Sequence, residues 1–154
     1  MIKAFEILGT TVVSLQDGDE VGTVSRVLTD RSGRTIGLAL EQANWYDPVK
    51  VIPFEFITAV SKDVVMVENV SSVFQLSELP ELLGMVRSNP EILGLPVLTK
   101  AGRALGIISG YSIDENTGKI EEYSISKPGE STQVGVIPAD RVIAIGNKVV
   151  VVSA

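Results

Sequence analysis

The sequence predicts an all-β fold of two small tandem barrels, joined by a linker that carries one short helix. Three observations predict it: an internal repeat covering most of the 154 residues, short β-branched runs separated by turn residues, and helical periodicity confined to the middle of the chain. The repeat has an offset of 85 residues, which places Gly9 on Gly94, Val12 on Val97, Gly33 on Gly118, and Val51-Ile52-Pro53 on Val136-Ile137-Pro138. Ala59 then meets Ala144, and Val64, Val65 and Val67 meet Val149, Val150 and Val152. For Gly22 with Gly106 and Asp30 with Asp114 the offset slips by one, as a one-residue change inside a turn would produce. The expected units are residues 1–68 and 93–154, with residues 69–92 between them.

Within the first unit, Thr11 to Leu15 reads as a strand and Asp17-Gly18-Asp19 as the turn after it. A longer strand, Val21 to Thr29, ends at the turn Asp30-Arg31-Ser32-Gly33. Ile36, Leu38 and Leu40 alternate through the strand Thr35 to Leu40. A polar-aromatic loop, Asn44-Trp45-Tyr46-Asp47-Pro48, leads into Val49 to Ile52, which Pro53 ends because it has no N–H for a ladder. Phe54 to Ile57 reads as a short turn or 3₁₀ segment, and Thr58 to Val67 as a hairpin turning at Ser61-Lys62-Asp63. The second unit repeats this order, with Asn147-Lys148 at its last turn. Strands this short and numerous fit a sandwich or a barrel. Closing the sheet removes edges that would pair with other chains, and Gly22 and Gly106 sit where a corner-turning strand needs a bulge. A barrel is therefore the expected form.

In the linker, Leu79, Leu82, Leu83 and Val86 fall at i, i+3, i+4 and i+7, one face of a helix. Ser77 is the expected cap, Pro80 suits the first turn, and Ser88-Asn89-Pro90 is the expected stop. So short a helix must dock its apolar face. It either packs between the two barrels or is held out for a partner.

Composition excludes several chemistries. The chain has no Cys and no His, so disulfides, thiolate nucleophiles, Cys/His metal sites and Ser–His relays are impossible. A net charge of −6 is the wrong sign for binding nucleic acid. No secretory leader or apolar run of about 20 residues is present, so the expected setting is the cytoplasm, free or at the periphery of a membrane complex. The carboxylates Asp17, Asp19 and Glu20, and the pair Glu121-Glu122, fall at or beside hairpin tips, where solvation opposes acid–base catalysis. Asp114 to Gly118 starts like a calcium loop, but the twelfth position is Ile125, which leaves an Asx-type turn. Gly102, Gly106 and Gly110 are followed by no Gly-Lys-Ser/Thr and read as turn and bulge glycines. No catalytic residue, cofactor or metal is expected.

Taken together, Leu8-Gly9, Val12-Val13, Asp17-Gly18, Val21-Gly22-Thr23-Val24, Asp30…Gly33, Ile36 to Leu40 and Val51 to Ile57 resemble the PRC-barrel family, named for the cytoplasmic barrel of the photosynthetic reaction centre H subunit. Leu93 to Val97, Lys100 to Arg103, Leu105 to Ile108, Asp114…Gly118 and Val136 to Val142 give the same order again. The resemblance implies six strands per barrel, a module that binds proteins, and no common catalytic set. Its relatives include the reaction-centre subunit, the C-terminal domain of a ribosome-maturation factor that docks a ribosomal protein, and archaeal cell-division adaptors.

The expected function is thus a non-catalytic protein-interaction adaptor or accessory subunit with an unidentified protein partner, self-association being open. The alternatives are a small-ligand-binding barrel, or a peripheral component of a photosynthetic or other membrane complex. The candidate interaction residues are Trp45, Tyr46, Leu79, Leu82, Leu83 and Val86. Trp45 and Tyr46 have no aromatic counterpart in the loop Lys127 to Gln133, and they either plug a barrel end or anchor a partner. Charge is asymmetric as well, with six bases against ten acids through residue 68 and six against six from residue 93.

Overall fold

Alternating apolar residues, punctuated by turns, build two six-stranded curled sheets of the same order. The computed structural model describes residues 1–89, 91–130 and 132–153. Pro90 of the expected helix stop and Ser131 of the second loop therefore lie outside the described residues, as does Ala154. The first sheet uses β2 (Thr11–Ser14), β3 (Glu20–Thr29), β4 (Thr35–Leu40), β5 (Lys50–Pro53), β6 (Ile57–Val60) and β7 (Val64–Val67). Its order is β6-β7-β2-β3-β4-β5, with the two-residue strand β8 (Phe74–Gln75) added beyond β5. The second uses β9 (Pro96–Thr99), β10 (Ala104–Ile113), β11 (Ile120–Ser126), β12 (Gln133–Pro138), β13 (Val142–Ile145) and β14 (Val150–Val152), in the order β13-β14-β9-β10-β11-β12. In each sheet one pair is parallel, β2 with β7 and β9 with β14, and the others are antiparallel. A 3₁₀ turn connects the two end strands of each sheet: Phe54–Phe56 follows β5, and Ala139–Arg141 follows β12.

The slip in the repeat has a local cause. Five residues join β2 to β3 and four join β9 to β10, while five join β3 to β4 and six join β10 to β11. The register is lost in one turn and restored in the next. Both long strands bulge beside the paired glycines, between Val12 and Val13 opposite Gly22, and between Ala104 and Gly106. At Gly106 the backbone takes φ +146°, which side-chain-bearing residues rarely adopt. Asp30 Oδ1 accepts the amides of Ser32 and Arg34 at 2.9 and 3.1 Å, and Asp114 Oδ1 those of Asn116 and Thr117 at 2.8 and 3.1 Å. Both are Asx-type turns, as expected at Asp114, and the Asn116 and Thr117 amides hold the Asp114 carboxyl below the usual carboxylate range.

These two turns meet each other. Thr35 donates to the Gly118 carbonyl at 2.8 Å and Ile120 donates to the Gly33 carbonyl at 2.8 Å, while Arg34 and Lys119 form an antiparallel bridge. Under the repeat offset the two hydrogen bonds are images of each other and the bridge is its own image, so the units join about a pseudo-two-fold axis. A single apolar core runs through both units, from Val12, Val24 and Ile52 in the first to Val97, Ile108 and Ile137 in the second. The N-terminal segment reinforces the joint. Its strand β1 (Ile2–Lys3) pairs with β10 of the second unit, and the helical turn α1 (Ala4–Ile7) buries Ala4 and Ile7. Burial also pushes the Tyr123 hydroxyl up to about 12 and the Tyr111 hydroxyl up further still.

The linker helix α2 (Pro80–Ser88) has Pro80 at its first position, as expected. Ser77 is not its cap. The residues ahead of the helix, Leu76–Glu78, wind into a 3₁₀ turn, where the Glu78 carboxylate accepts the Gln75 amide at 2.8 Å. The helix closes at Asn89, whose side-chain amide donates to the Met85 carbonyl at 2.7 Å. Nor does α2 pack between the barrels. Its buried Leu82 joins Leu28, Ala39 and Val51 on the outer face of the first sheet, with Ile36, Leu76, Leu79 and Val86 packed around them. That face already presents an apolar patch on β3, β4 and β5, whereas the junction is filled by the two turns and α1. No helix among the described residues is long and apolar enough to cross a membrane.

Candidate interaction surface

Docking α2 over β4 and β5 leaves an open concavity beside the helix. The helix covers Val51 and Ala39 completely or nearly so, but its first turns stand away from the corner where β5 passes into the 3₁₀ turn. Between them runs an open groove of about 630 Å³. Its walls are Ile36, Pro53 and Phe54 on the sheet side, and Leu79, Pro80, Leu82 and Met85 on the helix side. Glu55, Glu78 and Glu81 line it as well, all exposed, and no Lys or Arg does among the described residues. An apolar floor with a rim of one charge sign gives area to desolvate and a field to orient what arrives.

The sequence-predicted residues divide among three places. Leu79 and Leu82 line the groove and also help hold the helix down. Val86 belongs to the docked face alone, and Leu83 is half-buried outside both groups. Trp45 and Tyr46 stand elsewhere, on the loop between β4 and β5. Trp45 is 90% exposed and Tyr46 68%, their rings edge to face at 5.6 Å. They do not plug a barrel end. Asp47 fixes the loop by accepting the Asn44 amide at 2.9 Å, which leaves the indole projecting into water. Two such exposed rings are a preformed, amphipathic contact point.

Phe54, Glu55 and Met85 were not legible as site residues. Phe54 stands in a turn the sequence shows, but its neighbours across the groove come from a helix some 25 residues later in the chain. The one available signal was asymmetry: Phe54 corresponds to Ala139 under the offset of 85. Elsewhere, Asp17, Asp19 and Glu20 are exposed around a hairpin tip, and among the described residues no three Asp or Glu converge to hold a metal ion.

Comparison with known families agrees with this architecture. The PRC-barrel domain matches residues 1–74 and again residues 86–154. The chain belongs to the PRC-barrel family. Two tandem PRC-barrel units thus account for nearly all of it, and the segment between the two matched stretches holds the 3₁₀ turn Leu76–Glu78 and α2 as far as Met85. The groove is accordingly walled on one side by the first PRC-barrel unit and on the other by the insertion between units. A comparison with curated proteins finds no match.

Proposed function

We propose that this tandem PRC-barrel protein is a non-catalytic adaptor, which binds a protein partner through the groove between α2 and the β5 corner. The observation that carries this reading is the combination of apolar walls with the three-carboxylate rim of Glu55, Glu78 and Glu81. Its complement is a short segment, helical or extended, with apolar side chains on one face and Lys or Arg flanking them. Trp45 and Tyr46 supply a second contact point on the same unit.

The test is recovery of the tagged chain from its native host, beside the variants Met85→Lys and Glu81→Lys. The expected result is a stoichiometric protein that accompanies the wild type and is lost with either variant. Repeated recovery of no stoichiometric protein would overturn the reading, as would a partner indifferent to both substitutions. A second reading is favoured by the groove's size, which lies within the range of small-molecule sites. A cationic, largely apolar ligand would fit the same walls. Thermal shift against a metabolite panel separates the two, because a ligand at 100 times its dissociation constant stabilises by about 2.7 kcal/mol.

A further inference from the structure

The two units place equivalent strands in unlike surroundings, and the difference concerns β5 and β12. On the free side of β5, Phe74 and Gln75 pair with Val51 and Lys50, and the Leu76 amide donates to the Val49 carbonyl at 2.8 Å. The helix α2 then lies over the outward side chains of the strand. Val51 is 0% exposed as a result. Its counterpart Val136 is 41% exposed, and Val134, the counterpart of the 37% exposed Val49, is 51% exposed. Among the described residues no strand pairs with the outer side of β12, which ends its sheet. The first unit shows that this edge geometry accepts an added antiparallel strand.

We propose that β12 pairs with β12 of a second copy of this chain, antiparallel about a two-fold axis near Gly135. Three observations favour that occupant. The strand Gln133–Pro138 contains no charged residue, although exposed edges are ordinarily guarded by one, and Gly135 stands where the first unit has Lys50. Pairing about Gly135 sets Val134 opposite Val136 of the partner subunit, and does so twice by symmetry, which covers both exposed valines. Residues 93–154 also balance six bases against six acids, so two second units approach without the net repulsion that the acidic first unit would meet against its own copy. This interface is separate from the groove, which belongs to the first unit.

Sedimentation of the full chain from about 1 μM to about 1 mM tests the proposal, a range set by the weak affinity expected of an interface smaller than the standard size. The expected result is reversible conversion of the 16.4 kDa monomer to a dimer, with β12 amides gaining protection from hydrogen exchange as concentration rises. The double variant Val134→Lys/Val136→Lys sets like charges opposite each other and should weaken association by about thirtyfold or more. Both side chains are exposed, so its unfolding midpoint should stay that of the wild type; Val134→Lys alone serves if it does not. Met85→Lys, in the groove, should leave association unchanged. A monomer at every concentration would overturn the proposal. So would association that survives the lysines, or association abolished by Met85→Lys.

Discussion

Gly22 and Gly106 occupy the same place in the repeat, and replacing each by alanine should give very unequal losses of stability. At Gly106 a Cβ would lie 2.6 Å from the Ser126 carbonyl oxygen and 2.6 Å from Ile125 Cγ2, so the β10–β11 ladder itself would have to move. The backbone also holds φ +146°, where an alanine is strained whatever the space. Strain of about 1–3 kcal/mol and overpacking of a similar size give a combined loss of about 4 kcal/mol. At Gly22 the φ is ordinary, and the nearest atom is Leu40 Cδ1 at 2.8 Å, the far end of a side chain that can rotate. Overpacking of about 1 kcal/mol is there partly offset by the smaller unfolded-state entropy of alanine, about 0.4–1 kcal/mol, leaving a loss of about 0.5 kcal/mol. Urea unfolding by linear extrapolation measures both, with an unchanged slope as the sign that only stability moved. Equal losses, or a larger loss at Gly22, would refute the reasoning, because the repeat alone supplies no ground for a difference.

Three further outcomes follow from side-chain surroundings. Leu82→Ala removes the buried anchor of α2 from a small cluster at the surface, so the loss should be about 2 kcal/mol, near the low end for such truncations, and the backbone amides of α2 after Pro80 should exchange faster. Trp45 is the only tryptophan and is 90% exposed, so its fluorescence should be fully open to iodide quenching, and Trp45→Ala should change stability by less than about 0.5 kcal/mol. Tyr111 and Tyr123 are held protonated by burial, above the 10.0 of an unfolded tyrosine. A raised folded value stabilises fully below pH 10.0 and progressively less as pH rises through about 12 for Tyr123, so stability should fall on the alkaline side. Tyrosinate absorbance followed alongside circular dichroism checks this: two of the three tyrosines should ionise only as the fold opens.

What could be read from the sequence was whatever one strand and its turn determine locally. The strand Thr35–Leu40 has the bounds its alternation marks, and the turn Phe54–Phe56 falls where Pro53 interrupts the ladder. The bulges follow from Gly22 and Gly106, because a glycine inside a long strand has few other uses. The helix was legible from its apolar spacing, but its docking place was not. That depends on Leu28, Ala39 and Val51 forming a patch from three strands whose order the chain does not spell out. Ser77 failed as a cap because a 3₁₀ turn, closed by Glu78, took the residues a single cap would have ended. Trp45 and Tyr46 have no aromatic counterpart in the second unit. Composition could not tell an aromatic plug from an exposed pair, which is decided by the Asn44–Asp47 contact that shapes the loop.

The repeat separates the residues that fold the protein from those left free for something else. Positions that fill the core must suit the same cavity twice, and they do: Val12 with Val97, Ile52 with Ile137, and Val65 with Val150 are all nearly inaccessible. The junction obeys the same rule, since the Gly33 and Gly118 turns bond each other through the symmetric Thr35 and Ile120 amides. Phe54 and Ala139, Glu55 and Asp140, and Lys50 and Gly135 obey it less or not at all, and they cluster around β5 and β12. One strand position therefore exists in two forms within one chain. At β5 it is covered by the linker, and the cover makes a groove; at β12 it is bare, and the bareness makes an edge. Around this strand position the surface departs from the symmetry that the core keeps.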